Sequence, residues 1–252
     1  MKIPFKTLLI TLLLSTFCNA QKLDPEVALF SGITSMQTDY GERKHFGSSY
    51  ANIGFGVGAA FYLNFSKKSN NWNDRVRYFE EHFRLRLELS YMQTKLVHRG
   101  QYTEGNSPDT VLYNAMEGTS TILNYGAQIE YSIFDISKKQ FFNPYVSVGF
   151  LANSNTPKLE SSLGNIQTNT ALIPNVYSDG LFLEKNNSTS LILGFGTRLQ
   201  PKSYYSKSIY LIDFRLQRFN SDIIDGLKPN LSANKYDDWL LFFSVGYIFS
   251  FN

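Results

Sequence analysis

A chain of 252 residues with one cysteine, Cys18, and three histidines, His45, His82 and His98, has few groups for metal or thiol chemistry. The cysteine falls in a leader segment, so the exported chain has neither a disulfide nor a thiolate. The histidines and carboxylates are scattered, and a metal site needs a tighter cluster, so neither a metal nor any other cofactor is expected. Charge of one sign is also lacking: the net value of +3 is small and spread along the chain, which argues against a nucleic-acid partner. Long apolar runs are missing too. The one candidate, Thr7 to Phe17, is too short for a helical membrane span. A mean hydropathy of −0.21 would by itself suggest a water-soluble protein. That inference fails for strands whose apolar and polar faces alternate, because the average cancels.

The short apolar run has a different use. Lys2 and Lys6 precede it, and Cys18-Asn19-Ala20 makes a small-x-small cleavage site before Gln21. Residues 1–20 therefore read as a secretory signal peptide and 21–252 as one exported domain. Phe17 is a poor residue immediately before a lipidated cysteine, so ordinary cleavage is the reading adopted over a lipoprotein signal.

What the chain has in quantity is aromatic residues, 15% of the total, set in a period of two. From Trp239 onward, Trp239, Leu241, Phe243, Val245, Tyr247, Phe249 and Phe251 share one face, while Ser244, Gly246 and Ser250 lie among Asp238, Leu240, Phe242 and Ile248 on the other, which is read as small and mixed, as a crowded barrel interior requires. A tilted strand of about 9–11 residues crosses a bilayer, and this one is long enough. An aromatic-rich last strand is also what bacterial outer-membrane proteins present to their barrel assembly machinery, so this face reads as the insertion strand.

The same alternation recurs upstream. Glu26 to Met36 is a loose first strand. Asn52 to Phe65 puts Ile53, Phe55, Val57, Ala59, Phe61, Leu63 and Phe65 outward, with Gly54, Gly56, Gly58, Ala60, Tyr62 and Asn64 inward. Phe83 to Thr94, Ser120 to Ile133, Asn143 to Leu151, a segment around Leu191 to Leu199, and Ile209 to Phe219 repeat it. Ala152 to Ser188 is polar without a sustained period. The expected fold is all-β: a closed antiparallel transmembrane β-barrel of about eight strands, an even number with long outer and short inner connections. One inner connection is not short. Lys67 to Glu81, with a short helical turn in Trp72 to Glu81, is read as a solvated turn, and it is also the candidate docking site for a periplasmic partner.

Ionised groups on the inward faces cannot meet lipid, where Arg or Lys costs about 2–4 kcal/mol at the midplane. Arg84, Arg86, Glu88, Glu130, Arg198, Asp213 and Arg215 form this set, four cations and three anions. They are expected to pair inside a lumen that an eight-stranded barrel leaves just wide enough for its own side chains. A porin is thereby disfavoured. Gly54-Phe55-Gly56-Val57-Gly58-Ala59 also fits a G-x-G-x-x-A dinucleotide pattern, but the alternation runs straight through the glycines where that motif needs a strand end and a helix start. Small barrels can be lipid-modifying enzymes with a rim serine and histidine. Here His98 at the end of the third strand and His45 in the first outer loop lack a paired serine and carboxylate, and both read as surface residues.

Several blocks carry a family resemblance: Asp39-Tyr40-Gly41, NIGFGVGAAFYLNF from Asn52, HFRLRLELS from His82, and DGLKPNLSANKYDDWLLFFSVGYI from Asp225. Together they resemble small outer-membrane proteins of flavobacteria and other Bacteroidota, some labelled glutamate dehydrogenase. The resemblance implies an outer-membrane barrel in contact with outer-membrane lipid, with no established activity and no functional residues to carry over. The dehydrogenase label conflicts with export from the cytoplasm and with the absence of a βαβ pattern. A more distant similarity, in Asp238-Trp239 and Val245-Gly246-Tyr247 of the last strand, is to the small barrel subunit of the type IX secretion system. The function expected is a structural or scaffolding role in the cell envelope without catalysis. The alternatives are an accessory barrel of a type IX secretion complex and a rim-sited acyltransferase or esterase.

Overall fold

The computed structural model describes residues 24–41, 47, 52–65, 78–136, 138, 140–166, 168–177, 180–201, 208–228 and 237–251. The signal segment, His45 and most of Lys67 to Glu81 lie outside them. Eight strands run β1 (Asp24–Gln37), β2 (Ile53–Asn64), β3 (Phe83–Val97), β4 (Met116–Ser132), β5 (Phe142–Ser161), β6 (Asn186–Leu199), β7 (Ile209–Phe219) and β8 (Trp239–Ser250). Each pairs antiparallel with the next, and β8 closes on β1, giving a closed eight-stranded barrel. Closure leaves no strand without a neighbour on either side, although the upper ends of β3 and β5 run past β2 and β6.

The register shows how strongly the period of two fixes the faces. Slipping one residue would turn every apolar side chain inward and every charge outward. Leu29 and Ile33 on β1, Phe55 on β2, Leu89 on β3, Ile129 on β4 and Phe150 on β5 are all at least half exposed. Their alternates Ala28, Thr34, Ser90, Glu130 and Leu151 are at 1% exposure or less. Wherever the ladder was read from the sequence, inside and outside are as expected, except that Leu63 near the lower end of β2, read as outward, is buried. Two glycines show why β2 needs them inside: a Cβ on Gly56 would stand 2.8 Å from the Phe242 ring, and one on Gly58 would overlap the Phe30 ring.

Three features differ from the sequence reading. β5 continues ten residues past Leu151 to Ser161, and β6 starts at Asn186, so part of the polar stretch Ala152 to Ser188 is strand. Above the apolar belt β5 has polar residues on both faces, with Ser154, Thr156 and Lys158 outward. Hydrophobic alternation then no longer marks the strand, although the ladder to β4 continues to Met116↔Ser161. β3 and β4 are likewise longer at their upper ends. Finally, the inward face of β8 is not small: Leu240, Phe242 and Ile248 are fully buried.

The start of β1, the end of β8 and the two short connections, β4–β5 and β6–β7, lie at the lower end, as does the longer β2–β3 connection. There a short helix α1 (Tyr78–His82) precedes β3. It is pinned to the β4–β5 turn by Ile136 N donating to Glu81 O (2.8 Å) and by His82 Nδ1 on Ser132 O (2.8 Å). The other connections are at the upper end, and one of them contains α2 (Pro108–Ala115), with Ser107 as its N-cap and Pro108 at its first position.

Candidate functional site

The lumen is layered. In its lower half Arg84, Arg86, Glu88, Glu130, Arg198, Asp213 and Arg215 are all buried, and the structure joins all but Arg84 in one ion-pair network. Arg86 is the hub: its guanidinium lies 2.9 Å from Glu88, 3.3 Å from Glu130 and 3.1 Å from Asp213. Arg198 pairs with Glu130, while Arg215 pairs with Glu88 and, at 2.9 Å, with Asp213. An eighth member was not read from the sequence. Glu26 on β1 accepts from Arg84 at 3.4 Å, which makes four guanidinium groups and four carboxylates. The signal was there, since Glu26 shares parity with Ala28 and Thr34, but a lone carboxylate at a strand start does not reveal its facing. With Glu26 the set is formally neutral, which removes the cost of an uncompensated buried charge.

Aromatic rings separate these cations. Arg198 sits between Tyr62 (4.8 Å) and Tyr145 (4.9 Å), and Arg215 sits between Phe30 (4.9 Å) and Phe242 (4.7 Å). The planar guanidinium suits this stacking, where a lysine ammonium would lose the flat contact. Above the charges comes an amide and hydroxyl layer. Asn124 Oδ1 accepts from Asn153 (2.6 Å) and Gln217 (3.2 Å), and Thr34 bonds Thr94 (2.8 Å). Above that lie Met36, Leu96, Ile122, Phe219 and Leu240, all at 0% exposure. The lumen is thus packed over its height, as a barrel of this width requires.

The outer connections do not hang free over this core; among the described residues they form a cap. Ile224, fully buried, hangs from the wall by its carbonyl, which accepts from Ser120 Oγ and Asn155 Nδ2, each at 2.7 Å. Its N–H donates to Asp238 Oδ2 at 3.1 Å. The next residue, Asp225, ties the β7–β8 connection to the β1–β2 connection: Asp39 N donates to Oδ2 (3.0 Å) and Leu227 N to Oδ1 (2.9 Å). Burial, then the nearby Asp39 carboxylate, push the Asp225 carboxyl well above its ordinary range.

His98 belongs to this cap, which corrects its reading as a surface residue. It is 6% exposed, stacked on Tyr40 (4.6 Å) and edge-on to Tyr113 (5.0 Å). The strand-end position was legible, but the fold of the connections over it was not. Gly41 N donates to Nδ1 at 3.2 Å, so the neutral ring carries its proton on Nε2, which has no hydrogen-bond partner among the described residues. Burial drives its pKa down to about 3. A general base needs a bonded nucleophile and a pKa near the working pH; among the described residues His98 bonds only the Gly41 N–H, and burial holds its pKa far below that range. His82 bonds a backbone carbonyl at the opposite end. No group of three metal-binding side chains occurs among the described residues.

Trp239, Leu241, Phe243, Val245, Tyr247, Phe249 and Phe251, which the sequence reading takes as an insertion strand, are partly or well exposed along β8 and just beyond it. Trp239 at the upper end carries the Arg218 guanidinium at 5.7 Å.

No family model and no curated protein matches this chain. Solved structures similar to it include Ail, the attachment invasion locus protein of Yersinia pestis, in complex with the heparin analogue sucrose octasulfate (14% identity, TM-score 0.37, 91% of this chain and 100% of that one). The N-terminal β-barrel domain of Pseudomonas aeruginosa OprF is another (12% identity, TM-score 0.35, 90% and 100%).

Proposed function

We propose that this chain is an integral outer-membrane barrel with a structural or scaffolding role in the cell envelope and no catalytic activity. The observation that carries the reading is the inversion of a soluble core: an apolar outer wall around a lumen of paired charges. Exposed Leu, Ile, Val, Phe and Tyr side chains stand on all eight strands, partly or fully open to the surroundings. A soluble monomer rarely exposes a contiguous apolar patch beyond a few hundred Å², whereas a bilayer demands one around the whole circumference. The packed lumen supports a role other than conduction, and the fastened cap supports one that does not depend on an open mouth.

A scaffold acts through what it touches, and affinity purification from native membranes is the test. The protein is expected in the detergent-extracted outer-membrane fraction, resistant to alkaline wash. Recovery as a water-soluble monomer without detergent would overturn the reading. Loss of co-purifying periplasmic proteins on shortening Lys67 to Glu81 would assign it to a complex, including the type IX secretion reading. The enzyme alternative predicts altered lipid profiles in His98→Ala cells; the burial of His98 supports unchanged ones.

A further inference from the structure

The outer wall is not evenly filled. Across β7, β8 and β1 it carries an open trough of about 590 Å³. The register explains it. Ser31 stands beside Val245, which stands beside Ile212, so the middle of the trough is floored by one small residue and two β-branched aliphatic ones where the neighbouring row carries two tyrosines. Along β1 the flanking outward residues, Leu29 and Ile33, are large and more than half exposed. One row lower, Leu29, Tyr247, Tyr210 and Leu199 are aligned, and the two tyrosines pack edge to face at 5.6 Å and 80°. Tyr247 then turns its hydroxyl to the turn below, donating to Ser208 Oγ at 3.3 Å.

Apart from Ser31 the trough is therefore lined by apolar side chains, and its lower rim is formed by the Tyr210 and Tyr247 phenols, the second reaching toward the turn. That profile matches one ligand chemistry: a phospholipid of the lower leaflet, with an acyl chain lying upward over Ser31 and its ester and phosphate oxygens level with the tyrosines. Tyrosine at this height is amphipathic in the same sense as the lipid. We propose that this trough is a phospholipid-binding site holding one chain more persistently than the rest of the wall. The proposal rests on the membrane reading above and goes beyond it by naming a ligand and a place.

The test uses the full mature chain refolded into vesicles of phosphatidylethanolamine and phosphatidylcholine, extracted in mild detergent and weighed by native mass spectrometry. Wild type is expected to keep a phospholipid. Ser31→Phe fills the trough and is expected to cut the retained fraction by about tenfold, as if about two methylenes of contact were lost. Ala127→Phe, an equal addition to the lipid-facing side of β4, is expected to leave it unchanged. Should Ser31→Phe not fold, shown by the absence of heat-shifted gel mobility, Val245→Phe in the same row carries the test. Equal retention in wild type and the filled variant overturns the proposal, as does a mass of two barrels that Ser31→Phe abolishes, which would make the trough a self-association face. Wild type floating with vesicles but holding no lipid overturns the trough alone. Failure to float at all overturns the membrane reading beneath it.

Discussion

Glu130 is where the lumen can be tested most sharply. Its carboxylate, fully buried, holds Arg86 at 3.3 Å and also pairs with Arg198. Glu130→Gln keeps the shape and leaves the lumen with four guanidinium groups against three carboxylates. Arg86 still has Glu88 and Asp213, so the cost falls mainly on Arg198, left with the Tyr62 and Tyr145 rings. Breaking a buried pair from one side costs about 3–5 kcal/mol, because the survivor is stranded. Glu26→Gln is the internal comparison: its bond to Arg84 is 3.4 Å long and at the lower edge, where side-chain exposures of 10% and 6% admit some solvent. About 1–2 kcal/mol is expected there. Removing the stranded partner as well, in Glu130→Gln with Arg198→Met, restores neutrality, and the double variant should recover about 1–3 kcal/mol relative to the sum of the single changes. Reversible urea unfolding in micelles, followed by tryptophan fluorescence and heat-shifted gel mobility, measures all four. Equal costs for the Glu26 and Glu130 changes, or strict additivity in the double variant, would refute the argument that neutrality of a sealed lumen is what the network supplies.

Three further outcomes are expected. Gly58→Val drives a side chain into the Phe30 ring and should cost about 1–3 kcal/mol, whereas Ala59→Val, one residue on and facing outward, should stay within about 0.5 kcal/mol in the same unfolding assay. Asp225 has a folded pKa raised above its unfolded value, so its contribution to the cap is fully present below the unfolded pKa and fades as pH rises through the folded one. Protease cleavage of the outer connections should therefore be faster at pH 8 than at pH 5 in wild type, and the difference should shrink in Asp225→Asn. An unchanged difference would shift the cause to Asp39, Tyr40 or Tyr177 around it. His98, held near pKa 3, stays neutral across that range, and its imidazole NMR shifts should not titrate between pH 5 and 8.

How much of this was legible in the sequence depends on height along the barrel. Within the apolar belt, one physical rule governs every strand: a residue faces either lipid or lumen, and chemistry sorts the two with a period of two. Ile209 to Phe219 was read to the residue, because Ile212, Phe214 and Leu216 alternate with Asp213, Arg215 and Gln217 throughout the strand. Above the belt the outward face of β5 turns polar from Ser154 on while its inward face mixes Asn155 with Pro157 and Leu159, so the ladder persists while its signature disappears.

The cap escaped for a related reason. Its contacts join residues as distant as Asp39 and Asp225, or Tyr177 and Asp39, through backbone N–H and carbonyl groups that every sequence possesses. Only the folded wall puts Ser120 and Asn155 within reach of the Ile224 carbonyl, and only that anchored backbone brings Asp225 down onto Asp39. The placement of His98 follows from this chain of dependence. Once Gly41 is drawn over the mouth by the neighbouring Asp39 bond, the imidazole at the top of β3 has a donor above it and tyrosine rings at its sides. A histidine that looked available for chemistry becomes part of the packing that closes the barrel.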